Sequence, residues 1–343
     1  AQFHSLNIDY KADSDDLAFL DKSIKNHRYY RVGEFHGVLN TPKICFKFLK
    51  YFHQKAKVRY LVLERGHAYA WLCEQYLKTG NKALIQDILH LKKEMDFWKN
   101  LRAYQQTLPI NQKIRVFGVD FERGSIIRAL RGLLPNEDKA IPISIKATIR
   151  QIKNKSSNLL RGKGKRYFRA GKYFKKTGIR KNFNKYSKDY AKYLRAENYF
   201  HFDMIVNNMA TPTKMHKRDP MMYRNFLKIY KHFNSGNFFT QIGIAHINQN
   251  ERHSFGSRLK FNDDSPFKGK VFTIQTIFKS DRFPMSKNIL GSCFITKKEY
   301  NQINQKCKED INLLDLQALK STYSELASNF HYLLFLKNQK MFY

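Results

Sequence analysis

Tyr29-Tyr30-Arg31-Val32-Gly33-Glu34-Phe35-His36-Gly37 is the stretch whose reading decides the fold. A short apolar run, Tyr29–Val32, leads into a glycine-bounded loop that carries a carboxylate and an imidazole. Three further runs end in the same way. Arg59–Leu63 leads into Glu64-Arg65-Gly66-His67, Arg115–Val119 into Asp120-Phe121-Glu122, and Phe238–Ala245 into His246-Ile247-Asn248. Each reads as a buried strand followed by a loop. In an open α/β sheet the ligand crevice lies outside the carboxyl ends of the strands, so these polar tips are expected to gather at one site.

Helical patterns separate the strands. Helices are expected over Ser14–His27, Thr41–Lys55, His67–Thr79 and Ala83–Thr107. Thr41 and Pro42 suit a helix start and Gly80 a helix stop. This alternation predicts an α/β fold, a layered central β-sheet flanked by helices. Residues 1–123 read as the first part of that core. Residues 124–217 show no strand pattern and read as a helical, strongly basic insertion or lid. Residues 218–343 resume the core, with a helix over Asp219–Asn234 capped by Asp219, then strands at Phe238–Ala245 and Lys270–Phe278. Weaker strands are expected at Asn312–Leu316 and His331–Leu336.

The chain has 343 residues, 42% of them hydrophobic and 15% aromatic, enough for a sizeable core. Its formal net charge of +35 suits attraction to polyanions or simply reflects a lysine-rich surface. Residues 149–195 concentrate that charge, with Asp189 as the one acidic residue. Aromatic residues interleave the cations there, which also suits stacking on nucleic-acid bases. No apolar stretch approaches the roughly 20 residues of a membrane span. The start at Ala-Gln-Phe resembles a processed signal-peptide site and favours an exported protein, although a trimmed chain would start the same way. Cys45, Cys73, Cys293 and Cys307 form no C-x-x-C pair, and their disulfide status stays open.

Each polar tip has a chemical reading and a plainer one. Glu34 orienting His36 would make a base that takes a proton from water; the two are otherwise surface residues after a strand. Glu64 would hold the attacking water or the histidine, or pair with Arg65. Asp120 would face the site, or cap a helix together with Glu122. His246 would donate to a carbonyl oxygen as charge develops, or be a packed histidine. Arg65, His67, Asp120 and His253 are the expected substrate-contacting residues. His36, Glu64 and His246 are also a metal-compatible set, so a divalent metal is the alternative to a cofactor-free site. No G-x-S-x-G elbow, Walker loop or Rossmann glycine pattern occurs, which disfavours a serine hydrolase, a nucleotide-driven enzyme and a dehydrogenase.

The ordered set of motifs resembles the erythromycin esterase-like family. It comprises Gly33-Glu34-x-His36-Gly37, Glu64 after a strand, Tyr76-Leu77-x-Thr79-Gly80, Val116-Phe117-Gly118-Val119-Asp120, Arg218-Asp219-x-x-Met222-x-x-Asn225 and Gly243-x-Ala245-His246. The resemblance covers most of the chain outside residues 149–195. It implies an α/β core with a helical insertion and hydrolysis of an ester or lactone by a histidine-activated water. It further implies His36 as general base, Glu34 and Glu64 as orienting carboxylates, His246 as an aid to the carbonyl or leaving group, and Arg218 as support for the carboxylates or an oxyanion. The single spacer residue Phe35 is closer to the related haem-binding, iron-regulated lipoprotein family, since the esterases commonly have two. A non-enzymatic haem- or metal-binding protein is therefore the second expectation. A polyanion-binding protein acting through residues 149–195 is the third.

Overall fold

In the computed structural model, residues 3–89, 92–122, 124–135, 140–154, 177–208, 215–248, 254–279 and 293–341 are described. The strands are β1 (Phe3–Ser5), β2 (Tyr29–Glu34), β3 (Val58–Gly66), β4 (Arg115–Asp120), β5 (Asn237–Gly243), β6 (Val271–Phe278), β7 (Ile311–Asp315) and β8 (Tyr332–Leu336). They form one sheet in the order β1-β7-β8-β6-β2-β5-β3-β4. β2 is central and parallel to both β5 and β6, and β6 is parallel to β8. β7 and β1 close that edge with antiparallel pairs. The sheet is thus mixed, flanked by helices, and the α/β expectation holds. All eight residues of β6 are buried, as befits a parallel strand covered on both faces.

The helices used below are α1 (Thr41–Ala56), α2 (His67–Thr79), α3 (Lys92–Gln106), α4 (Ile126–Gly132), α5 (Ile143–Asn154), α6 (Ile179–Lys185), α7 (Ser187–Tyr193), α8 (Ala196–Asn207) and α9 (Met215–Phe233). The chain divides into two compact units. The first comprises Ala1–Val62, Leu91–Arg115 and Tyr230–Tyr343, and the second Leu63–His90 and Val116–Ile229.

The first unit has an aromatic core. Tyr30 stacks on Phe52 at 4.5 Å, and Phe52 meets Phe239 and Phe272. On the other face of β2, Tyr29 packs against Phe238 and Phe267. Fully burying each such ring stabilises by roughly 1.5–3 kcal/mol before ordering costs. In the second unit Trp71 of α2 lies against Gly132 at the end of α4, where a Cβ would meet the indole at 2.6 Å. Ile145, Ile149 and Ile152 of α5 are buried together with Phe183 of α6 and Tyr190 and Tyr193 of α7.

Five expected elements differ in detail. β3 runs on through Glu64, Arg65 and Gly66 and passes directly into α2 at His67, where a loop after Leu63 was expected. Ser14–His27 is a 3-10 turn over Asp15–Leu20 followed by further turns, not a helix. Its acidic side chains bond nearby backbone instead: Asp13 accepts from the Asp15 N–H and Asp16 from the Asn7 N–H. Ala83–Thr107 is also broken, because Arg128 takes the carbonyls of Ala83 and Leu84, and α3 starts only at Lys92. Asp219 is not a helix cap, since α9 begins at Met215 and carries Pro220 inside it. Arg218 therefore projects from the first turn of a longer helix. β5 stops at Gly243, and Ile244–Ile247 forms one helical turn, so His246 lies on that turn and not in a loop.

The basic insertion is described at its flanks, Ile149–Asn154 and Thr177–Arg195; residues 155–176 lie outside the described residues. Phe183, Tyr190 and Tyr193 have at most 1% exposure and form a helical core. This corrects the base-stacking expectation for those three aromatics, because their hydrophobic burial leaves no ring face to offer. All four cysteines are buried thiols outside any disulfide. Among the described residues, no helix is long and apolar enough to cross a membrane.

Candidate active site

In the first unit, β2 delivers Glu34 at its carboxyl end. A turn through Gly37, whose φ of 91° suits glycine, then brings His36 back beside it. His36 Nδ1 is 2.9 Å from Glu34 Oε1, with the imidazole 62% exposed and the carboxylate 19% exposed. Phe35 points away and packs edge-on against Phe278 at 4.7 Å, which fixes the loop between the two polar groups. A one-residue spacer therefore suffices to bring acid and base into hydrogen-bond contact.

The same sheet end carries His246. Glu34 pairs in register with Gly243, three residues before His246. The Ile244–Ile247 turn rests directly on β2. A Cβ on Gly33 would stand 2.6 Å from Ile247 Cδ1 and 3.3 Å from Ile244 Cγ2. Only glycine at 33 lets that turn approach so closely. His246 itself is buried. Cys45, on α1, feels the Glu34 carboxylate. Burial, and then that charge, push its thiol well above the ordinary range, so it is no ready nucleophile.

In the second unit, three expected residues meet. Arg218 makes a two-pronged contact with Asp120, through Nε to Oδ1 at 2.9 Å and Nη2 to Oδ2 at 2.8 Å. The same Nη2 reaches Glu64 Oε1 at 2.5 Å. Asp120 is fully buried, and Glu64 is 8% exposed. Burial would lower the Arg218 pKa, but the hydrogen bonds and charges of Asp120 and Glu64 together raise it above its ordinary value. The guanidinium is thus a permanent cation between two carboxylates, and the β3 and β4 ends are joined through it. Arg218 also lies over the Phe121 ring at 5.7 Å. The Arg65 guanidinium lies over Tyr69 at 5.6 Å.

Beneath this cluster lies a polar layer that sequence reading largely missed. Asn208, after α8, donates to the Asp120 carbonyl at 2.5 Å, and Asn225 of α9 donates to the Val119 carbonyl and to Asn208 Oδ1. Glu122 does cap a helix, but an earlier one: it accepts the His67 N–H at 2.6 Å and the Ala68 N–H at 3.1 Å, at the start of α2. Burial pushes its carboxyl up to about 8, against the opposing pull of those hydrogen bonds, with the Asp120 charge adding to the rise. Gly66 and Gly118 make room for this. A Cβ on Gly66 would stand 2.5 Å from Glu122 Oε2, and one on Gly118 would stand 2.3 Å from the Gly66 carbonyl.

His67 is fully buried, with Nε2 2.8 Å from His201 Nδ1 and its ring against Phe117 and Phe200. It lies inside the unit, not on an open surface where a substrate would meet it. His201 carried no signal in the sequence, since it stands alone within an apolar helix. His253 lies outside the described residues. No group of three or more His, Cys, Asp or Glu side chains among the described residues is arranged to hold a metal ion.

No protein-family model matches the chain, and no curated protein matches it. Solved structures do. A structure described as a succinoglycan biosynthesis protein superposes with a TM-score of 0.69 at 14% identity, covering 98% of this chain and 95% of that one. Erythromycin esterase EreC in its open conformation superposes with a TM-score of 0.68 at 13% identity, covering 99% and 98%. Haem-binding ChaN of Campylobacter jejuni gives only 0.33 over 76% of this chain, too distant to bear on it. The fold expected from the motif order is therefore the fold found, over nearly the whole chain.

Proposed function

We propose that the protein is a hydrolase of the erythromycin esterase type that cleaves an ester or lactone with a histidine-activated water. The observation that carries this reading is the 2.9 Å contact between Glu34 Oε1 and His36 Nδ1 on an exposed loop at a parallel strand end. A carboxylate on Nδ1 selects the tautomer in which Nδ1–H donates to it and Nε2 holds the lone pair. Nε2 then takes a proton from water, the hydroxide oxygen bonds to the ester carbonyl carbon, and the C–O bond to the leaving alcohol breaks as that oxygen is reprotonated. In this reading Glu64 orients the water, Arg218 supports the carboxylates or the oxyanion, and His246 assists the carbonyl or the leaving group. The shared fold with an erythromycin esterase supports the reaction class; the substrate is an ester or lactone of a kind still to be identified.

The test is a panel of aryl esters, alkyl esters and macrocyclic lactones, run on the wild type, His36→Ala and Glu34→Gln. Loss of the base should lower kcat/KM by roughly 10²–10⁴-fold. Equal activity in wild type and His36→Ala, or no turnover of any ester by the wild type, removes the reading.

A specific observation favours a second reading for residues 149–195. With Phe183, Tyr190 and Tyr193 inside, the exposed positions of α5–α7 include Arg150, Lys153, Arg180, Lys181, Lys185 and Lys188. Asp189, the acidic residue of the stretch, accepts from Ser144 Oγ at 2.5 Å. Such a surface suits an anionic polymer held through its charges.

A further inference from the structure

His36 and Gly37 form an arch whose two ends are held by parts of the chain remote in sequence. At one end Phe35 packs edge-on against Phe278 of β6 at 4.7 Å. At the other, Val38, Leu39 and Asn40 lie along Gln339, Lys340 and Met341. Val38 forms an antiparallel bridge with Met341, and the Leu39 N–H donates to the Lys340 carbonyl at 3.0 Å. Asn40 Nδ2 donates to Gln339 Oε1 at 3.1 Å. Val38 is buried, and its N–H donates to the Phe35 carbonyl at 3.3 Å, which closes the arch on itself.

Gln339 is the centre of this arrangement. It is buried, its N–H donates to the Lys279 carbonyl at 3.0 Å, and its Nε2 donates to the Lys337 carbonyl at 2.7 Å. Lys279 directly follows Phe278, so the anchors of Phe35 and of Asn40 are joined through one backbone bond. The contacts run from Phe35 through Phe278, Lys279 and Gln339 to Asn40, and return through Leu39 and Val38. A buried amide whose N–H, Oε1 and Nε2 all bond fixes a geometry as well as a fold. Asn40 points the same way. It stands at the N-cap of α1, where an asparagine side chain ordinarily accepts from a first-turn N–H. It makes no cap bond and reaches Gln339 instead.

We propose that Asn40 and Gln339 are positioning residues for His36, their side-chain bond holding the arch where Nδ1 meets Glu34 Oε1. The effect on catalysis rests on the hydrolase reading; the effect on the imidazole does not. Without the bond, the imidazole leaves the carboxylate, and the tautomer that carries its proton on Nδ1 is no longer selected. A general base displaced by about 1 Å loses about 10²-fold in rate.

The experiment compares the intact wild type with Asn40→Ser, Gln339→Leu and the double variant. Serine keeps a polar N-cap residue but is too short to reach Gln339, and leucine fills the glutamine volume without an acceptor. The first measurement is the tautomer of the neutral His36 ring, from its 15N chemical shifts. The Nδ1–H form should dominate in the wild type and fall in both single variants toward its level in Glu34→Gln. The second is kcat and KM on an ester that the wild type cleaves. kcat should fall by about 10–100-fold with KM nearly unchanged. The double variant should be no slower than the slower single variant, because both break one bond. A merely structural bond would lower the urea midpoint and leave the tautomer as it was. An unchanged tautomer in Asn40→Ser overturns the proposal whether or not any ester is cleaved, and that variant decides the matter if Gln339→Leu does not fold. Wild-type kcat in Asn40→Ser, where His36→Ala is inactive, overturns it as well. A shifted tautomer with no ester cleaved by the wild type supports the positioning role and removes the hydrolase reading.

Discussion

Arg218 shows how one side chain can decide the state of two others. Asp120 and Glu64 are both almost out of water, and each is paired with the same guanidinium. Removing that cation leaves two carboxylates buried and facing each other. Arg218→Met should therefore destabilise the protein by roughly 3–5 kcal/mol, measured as the urea midpoint with an unchanged m-value. Arg218→Lys keeps the charge but loses the fork on Asp120 and should fall between the two. Glu122 makes a second prediction, in pH. Its folded pKa of about 8 lies above the ordinary 4.5. The folded state thus holds a proton that the unfolded chain releases. The associated stability is complete below pH 4.5 and is lost as pH rises to about 8, at no more than about 1.4 kcal/mol per pH unit. Glu122→Gln should flatten that slope in denaturation curves taken from pH 5 to 8; an unaltered slope would show that Glu122 does not titrate there.

At the scale of elements, the strand ends depend on glycines that admit other backbone. Gly118, in β4, has the carbonyls of Arg65 and Gly66 where a Cβ would be, at 2.4 and 2.3 Å. Both contacts are backbone, which cannot rotate aside. Gly118→Ala should cost at least about 1–3 kcal/mol, and should disturb Glu64 two residues before Gly66. Chemical denaturation gives the first figure. A changed ester profile alongside an unchanged fold by circular dichroism would check the second. Strands β2 to β8, α1, α2 and the stop at Gly80 were legible in the sequence because each is written locally, as an apolar run bounded by glycine, proline, a cap or polar residues; the three-residue β1 was not, being too short to carry a pattern. The Ser14–His27 and Ala83–Thr107 segments were not. Their helical pattern is overruled by Asp13 and Asp16 bonding local backbone, and by Arg128 taking two carbonyls from 44 and 45 residues away in sequence.

For the whole molecule, charge is the dominant long-range property. A formal +35 produces a positive field, and the proposed polyanion contact would form where that field is densest. If α5–α7 carry that density, reversing Arg180, Lys181, Lys185 and Lys188 to Glu should sharply reduce retention on heparin. The dependence of log K on log salt should weaken by about 0.7–0.9 per lost contact. Unchanged retention would instead assign the binding to charge spread over the molecule.

The sequence by itself determined the alternation of strand and helix, the α/β class, and the polar residues that end β2, β3 and β4, because these follow from short-range periodicity and from where an apolar run stops. Order along the chain also sufficed to suggest the fold that the superpositions then found. Only the tertiary structure decided which of those residues touch. It set Arg218 on both Glu64 and Asp120, turned Glu122 back to cap α2, and buried His67 against His201. It also buried Arg31, which stands inside an ordinary-looking strand, against the Thr273 hydroxyl of β6. Pairing and burial depend on residues tens to hundreds of positions apart, and no local pattern of residue types records which of them will meet.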